Sequence, residues 1–208
     1  MRRISRRIAG AILIAAATAL GSVTVAAARA PVDPTTLNPP PPDFFNATCE
    51  QVGHGIVCDL AFSDPAIVEE PGGMVCDGTE LLVSQTRSVV GKRFYDAQGD
   101  LLRRHFREDY AGTLLDPTTG NVLSWVAHDT VIHDLAVAGD IATGRTSFTG
   151  QAFRVFVPGG GTVFTDAGRV IVDEATGEIL ATKGPHRLDD YFVRGDPDAI
   201  HAICDALG

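Results

Sequence analysis

Phe94-Tyr95-Asp96-Ala97-Gln98-Gly99-Asp100-Leu101-Leu102, Leu114-Leu115-Asp116-Pro117-Thr118-Thr119-Gly120-Asn121-Val122-Leu123 and Ile171-Val172-Asp173-Glu174-Ala175-Thr176-Gly177-Glu178-Ile179-Leu180 repeat one pattern. An apolar pair leads into an Asp-led, Gly-containing turn, and a second apolar pair leads out. Asp opens such a turn by accepting a bond from backbone two residues on. Gly closes it in the left-handed conformation that a side chain penalises. Short loops of this kind join antiparallel strands. Hairpins so closely spaced leave no room for crossover helices, so the pattern predicts an all-β meander.

Further strands are expected around these turns, at 79–90, 91–96, 101–114, 121–136, 141–149, 152–157, 162–173 and 178–184, with breaks at Pro71-Gly72-Gly73, Ala138-Gly139-Asp140 and Pro158-Gly159-Gly160-Gly161. Only the C-terminus reads as helix. Asp196-Pro197 is a cap followed by proline at the first helical position. Ile200, Ile203, Cys204 and Leu207 then recur along one helical stripe. About eight antiparallel strands and one helix suggest a sheet closing into a small barrel, with a two-sheet sandwich as the alternative.

Residues 1–28 read as a signal peptide. Arg2, Arg3, Arg6 and Arg7 precede an apolar run from Ile8 to Leu20, and small residues follow up to a cleavage site after Ala28. Its removal takes away four arginines and no acid, moving the formal charge from −9 to −13. So acidic a chain is a poor partner for nucleic acid or an anionic membrane, both of which call for a basic surface. Pro31, Pro34 and Pro39 to Pro42 make residues 29–47 an extended linker. Residues 48–208 are then one β domain, exported and expected to be monomeric.

Four cysteines in an exported chain make two disulfides. A two-residue turn at Gly53-His54 places Cys49 opposite Cys58 in a non-hydrogen-bonded pair, where a Cα separation of about 4.5 Å suits a disulfide. Cys76 and Cys204 are then partners, the second on the buried stripe of the C-terminal helix. No C-x-x-C spacing is present, which argues against a metal site.

Candidate chemistry is sparse. Phosphate-loop and nucleophile-elbow motifs are absent from the sequence. His128 and His133 lie an odd number of positions apart and point to opposite faces of a strand, so they cannot share a metal without a bulge between them. The odd positions Trp125, Asp129 and His133 and the even positions Arg104, Glu108 and Tyr110 place polar groups on otherwise apolar strand faces. Such groups can line a ligand cavity, and they can equally form an internal ion pair or sit at an open end. These six are the candidate ligand-binding residues. No catalytic residue, metal or cofactor is assigned.

Cys49…Gly53-His54-Gly55…Cys58, Cys76-Asp77-Gly78, Phe94-Tyr95-Asp96 with Gly99-Asp100-Leu101, His128-Asp129-Thr130, Ala167-Gly168-Arg169-Val170 and Ala202-Ile203-Cys204-Asp205-Ala206-Leu207 together resemble small secreted proteins of actinobacterial type. The resemblance spans nearly all of the chain after residue 28. It implies export, paired cysteines and a compact β domain, and supplies no activity. The expected function is binding of a small apolar ligand or service as a surface interaction module. The alternative is an enzyme of cyclase or hydrolase type working inside the barrel.

Overall fold

The structure, a computed structural model, describes residues 29–208 apart from Val193, with backbone only for 65–68 and Asp189. The expected signal peptide lies outside the described residues. Nine strands form one antiparallel sheet: β1 Pro31–Val32, β2 Asn46–Val52, β3 Gly55–Cys76, β4 Thr79–Tyr95, β5 Leu101–Leu115, β6 Val122–Asp134, β7 Arg145–Phe156, β8 Thr162–Asp173 and β9 Ile179–Lys183. They lie side by side in chain order, as a meander requires. Two short helices follow, α1 Arg187–Phe192 and α2 His201–Leu207. Among the described residues no helix is long and apolar enough to cross a membrane.

The three Asp-led turns form as their sequences dictate. The side chain of Asp96 accepts from the backbone N–H of Gln98, that of Asp116 from Thr118 and that of Asp173 from Ala175, at 2.9, 2.7 and 3.1 Å. Gly99, Gly120 and Gly177 close the turns at φ of +88°, +77° and +71°. A further tight hairpin has Asp77 and Gly78 as its central pair, both at positive φ, between paired Cys76 and Thr79. Only the first central residue of the Gly53-His54 turn is left-handed, at +61°. That turn sets Cys49 opposite Cys58.

Both disulfides are present, Cys49–Cys58 and Cys76–Cys204. The first staples β2 to β3. The second ties the end of β3 to α2. Asp196 caps the helical turn that begins at Pro197 and leads into α2, and Ile200, Ile203 and Leu207 are buried.

Closure into a barrel does not occur. β1 pairs only with β2 and β9 only with β8, so the sheet stays open and lies nearer the sandwich expectation. The physical reason is that one face, the inner one, is covered by other parts of the chain. At one end Leu37 and Phe45 from the Pro-rich stretch pack with Cys49, Cys58, Leu60, Val89, Tyr95, Leu101 and Phe106. At the other, Ile200, Ile203 and Leu207 pack with Leu81, Leu114, Leu123, Trp125, Val155 and Phe164. The Pro-rich stretch, expected as a linker, is held to the sheet. Arg93 donates to the carbonyls of Pro39 and Pro40, and the Tyr95 hydroxyl donates to Pro39.

Some strand boundaries differ from expectation. The segments 79–90 and 91–96 are one strand. Gly91 sits inside it, where a Cβ would lie 2.3 Å from the Phe106 ring and 2.5 Å from the His105 carbonyl. The expected break at Pro71-Gly72-Gly73 is absorbed as register shifts inside β3. β7 starts only at Arg145, after a loop.

Two measurements check this arrangement. Peptide mapping without reduction is expected to recover the 49–58 and 76–204 crosslinks, and a free thiol would contradict it. Trp125 is 5 % exposed and packs on Phe153 at a ring distance of 4.9 Å. Trp125→Ala should cost about 3–5 kcal/mol in denaturant titrations, and tryptophan emission of the native chain should be blue-shifted.

Candidate functional site

Side chains alternate faces along a strand, so strands paired in register line their inward residues up in rows across the sheet. One row runs Cys49, Cys58, Arg93, Arg104, His133, Thr146. The next inward row, two residues along each strand, carries Gly91, Phe106, Val131, Phe148 and Val170. The row beyond it holds Val89, Glu108, Asp129, Gly150 and Gly168. Arg87, Tyr110 and Ala127 follow. All six candidate residues therefore share the inner face, as their parity predicts. His128 points outward, exposed, and bonds Asp109. That bond is the main cause holding the Asp109 carboxyl below its ordinary value.

The six divide into separate environments. His133 is fully buried. The Arg104 Nε–H donates to His133 Nδ1 at 3.1 Å. Because arginine only donates, the ring proton resides on Nε2, which donates to the Thr143 carbonyl at 2.7 Å. Both ring nitrogens are thus hydrogen-bonded, and His133 ties Arg104 to the loop carbonyl of Thr143. Arg104 and Glu108 do not pair with each other. Glu108 accepts from the Tyr110 hydroxyl at 2.6 Å and from Arg87 at 3.3 Å. Tyr110 is pushed well above its ordinary pKa, by burial first and then by the bond to Glu108. Trp125 stands apart in the aromatic core, stacked on Tyr110 at 6.4 Å.

Between the two covered ends, the inner face is open to clefts. One, of about 660 Å³, is lined on its apolar side by Phe148, Ala152, Val170, Val172, Ile179 and Leu188. Asp129, Asp166 and His186 provide its polar lining. Asp166 is buried and accepts from the backbone N–H of Leu188 at the start of α1. Asp129 lies directly opposite Glu108 across β5 and β6. Burial, then Glu108 and Asp166, raise its pKa above the ordinary value.

A second cleft of about 310 Å³ lies beside it, sharing Phe148 as a wall and lined also by Arg87, Arg93, Arg104 and Glu108. Among the described residues, no group of three or more His, Cys, Asp or Glu is arranged to hold a metal.

Arg87, Arg93, Asp166 and His186 escaped the sequence reading. The first two were within reach of it. They occupy odd positions of β4 between Val83, Val89 and Tyr95, the same alternation that singled out Arg104.

No family model matches the chain, and neither does any curated protein or solved structure.

The raised pKa of Asp129 carries a sign. Folding favours its protonated form, so its charge opposes folding at neutral pH and ceases to do so below the ordinary value of 3.8. Asp129→Asn should therefore raise the melting temperature at pH 7, and the gain should vanish as pH falls toward 3. A loss of stability at pH 7 would show that the carboxylate is favourably paired.

Proposed function

We propose that this chain is an exported binding protein that holds a small, mostly apolar ligand in the cleft along β7, β8 and β9. The observation that carries this reading is the 660 Å³ cleft itself. It falls within the size range of small-molecule sites, its walls are apolar, and its polar side chains are limited to Asp129, Asp166 and His186. Asp129 and Asp166 define an acidic end, which favours a ligand whose polar group is a hydrogen-bond donor, an amine or a hydroxyl. The paired cysteines fit an extracellular protein. The acidic surface fits a small ligand better than a polyanion. The cyclase or hydrolase alternative has less support, because His133 is buried and does not line this cleft.

N-phenyl-1-naphthylamine, an apolar fluorophore with one N–H, tests this reading. The wild-type chain should bind one dye with enhanced, blue-shifted emission. Val170→Asp, which places a charge on the cleft wall, should weaken binding by about tenfold or more, equivalent to 1.4 kcal/mol. Val157→Asp, at an exposed apolar residue outside the cleft, should leave it unchanged. Equal binding to the wild type and Val170→Asp would overturn the assignment.

A further inference from the structure

The second cleft has a different chemistry. Arg93 and Arg104 stand directly opposite each other on β4 and β5, two like charges in a cross-strand pair. Arg93 is only 4 % exposed. It donates to the Pro40 carbonyl at 3.0 Å, while its Nε–H meets no acceptor among the described residues. Arg104 rests on the neutral ring of His133. Burial, followed by the repulsion of Arg93, lowers the Arg104 pKa.

The nearby carboxylates are already engaged. Glu108 holds Arg87 and Tyr110. Glu174, whose charge favours the protonated Arg104, accepts the Thr146 hydroxyl. Two guanidinium groups on directly paired residues thus hydrogen-bond to neutral acceptors, with the Glu174 carboxylate of the cleft lining as the one charge favouring Arg104, and an added anion would relieve their repulsion.

The walls say which anion. Phe44, Phe45, Phe106 and Phe148 line the cleft. Phe45 stacks on Phe106 at 5.7 Å with a 13° interplanar angle. Flat aromatic walls beside guanidinium groups suit a planar ring carrying a planar anion that accepts two parallel N–H bonds. We propose that this cleft binds a small aromatic carboxylate, with the carboxylate at Arg93 and Arg104 and the ring among the phenylalanines. The site is distinct from the apolar cleft, although Phe148 borders both.

Calorimetric titration of the full exported chain with sodium benzoate tests the proposal, with benzamide and sodium phosphate as controls. Benzoate should bind one to one, with both controls weaker by about tenfold or more. Arg104→Met should weaken benzoate by a similar factor, whereas Val170→Asp should leave it unchanged while losing the apolar dye. That contrast separates failure of this site from failure of the neighbouring cleft. Should Arg104→Met not fold, two other readouts decide. Phe44, already 58 % exposed, can be changed to Ala and should weaken benzoate severalfold. In the wild type, benzoate should shift the ring resonances of His133 and spare those of exposed His54. Benzamide binding as tightly as benzoate, unaltered binding to Phe44→Ala, a motionless His133, or no binding at millimolar benzoate would each overturn the proposal.

Discussion

The register that sets Cys49, Cys58, Arg93, Arg104, His133 and Thr146 in one inward row is the constraint on which the rest depends. A slip of one residue would turn the outward row of Asp59, Lys92, His105, Ile132 and Ser147 toward the interior. The Cys49–Cys58 bond locks one end of the row. The Asp-led turns lock the strands at their ends, since each turn geometry admits one pairing. Two arginines inside the row need fixed acceptors. His133 supplies one set, and the carbonyls of Pro39 and Pro40 supply the other. The Pro-rich stretch is therefore drawn onto the sheet by the charges that the register buries.

An open sheet with one apolar face has to cover that face somehow. Here the two ends of the described chain do it. The segment around Leu37 and Phe45 caps one end, and α2 caps the other, pinned by Cys76–Cys204. A crosslink closing so long a loop contributes on the order of 4 kcal/mol in the chain-entropy account. The covers leave part of the middle rows free, where Glu108, Asp129 and Phe148 border clefts, one of them walled by Phe44 and Phe45 of the Pro-rich stretch. The proposed binding site and the incomplete coverage coincide in space. The ionised Asp129 there opposes folding, an instance of the stability that binding sites commonly trade for recognition.

Local rules made much of this legible in the sequence. The Asp-led turns, the Gly53-His54 hairpin with its cysteine pair and the helical stripe of Ile200, Ile203 and Leu207 each depend on residues a few positions apart. Strand parity placed Trp125, Asp129 and His133 on one face and His128 on the other. Closure was not legible, because it depends on what covers the inner face, and the proline carbonyls reach Arg93 and Tyr95 from more than fifty residues away in sequence. The Asp77-Gly78 turn was local yet overlooked. Asp-Gly is a strong two-residue hairpin signal, but Pro71-Gly72-Gly73 just before it looked like the end of a strand that in fact continues through bulges. Splitting β4 at Gly91 likewise broke the alternation that would have exposed Arg87 and Arg93. Asp166 and His186 come to Asp129 only through the pairing of β6 with β7 and β7 with β8 and the placement of α1, which no single segment encodes.

The proposed function requires the cleft along β7, β8 and β9 on the inner face to be the binding surface. Methyl-resolved NMR during titration with N-phenyl-1-naphthylamine tests it most directly, because apolar residues are exposed on both faces. Saturable shifts concentrated at the methyls of Val170, Val172 and Ile179 are the expected result. Shifts centred on Val137, Ile141 and Val157, with those three unmoved, would contradict it.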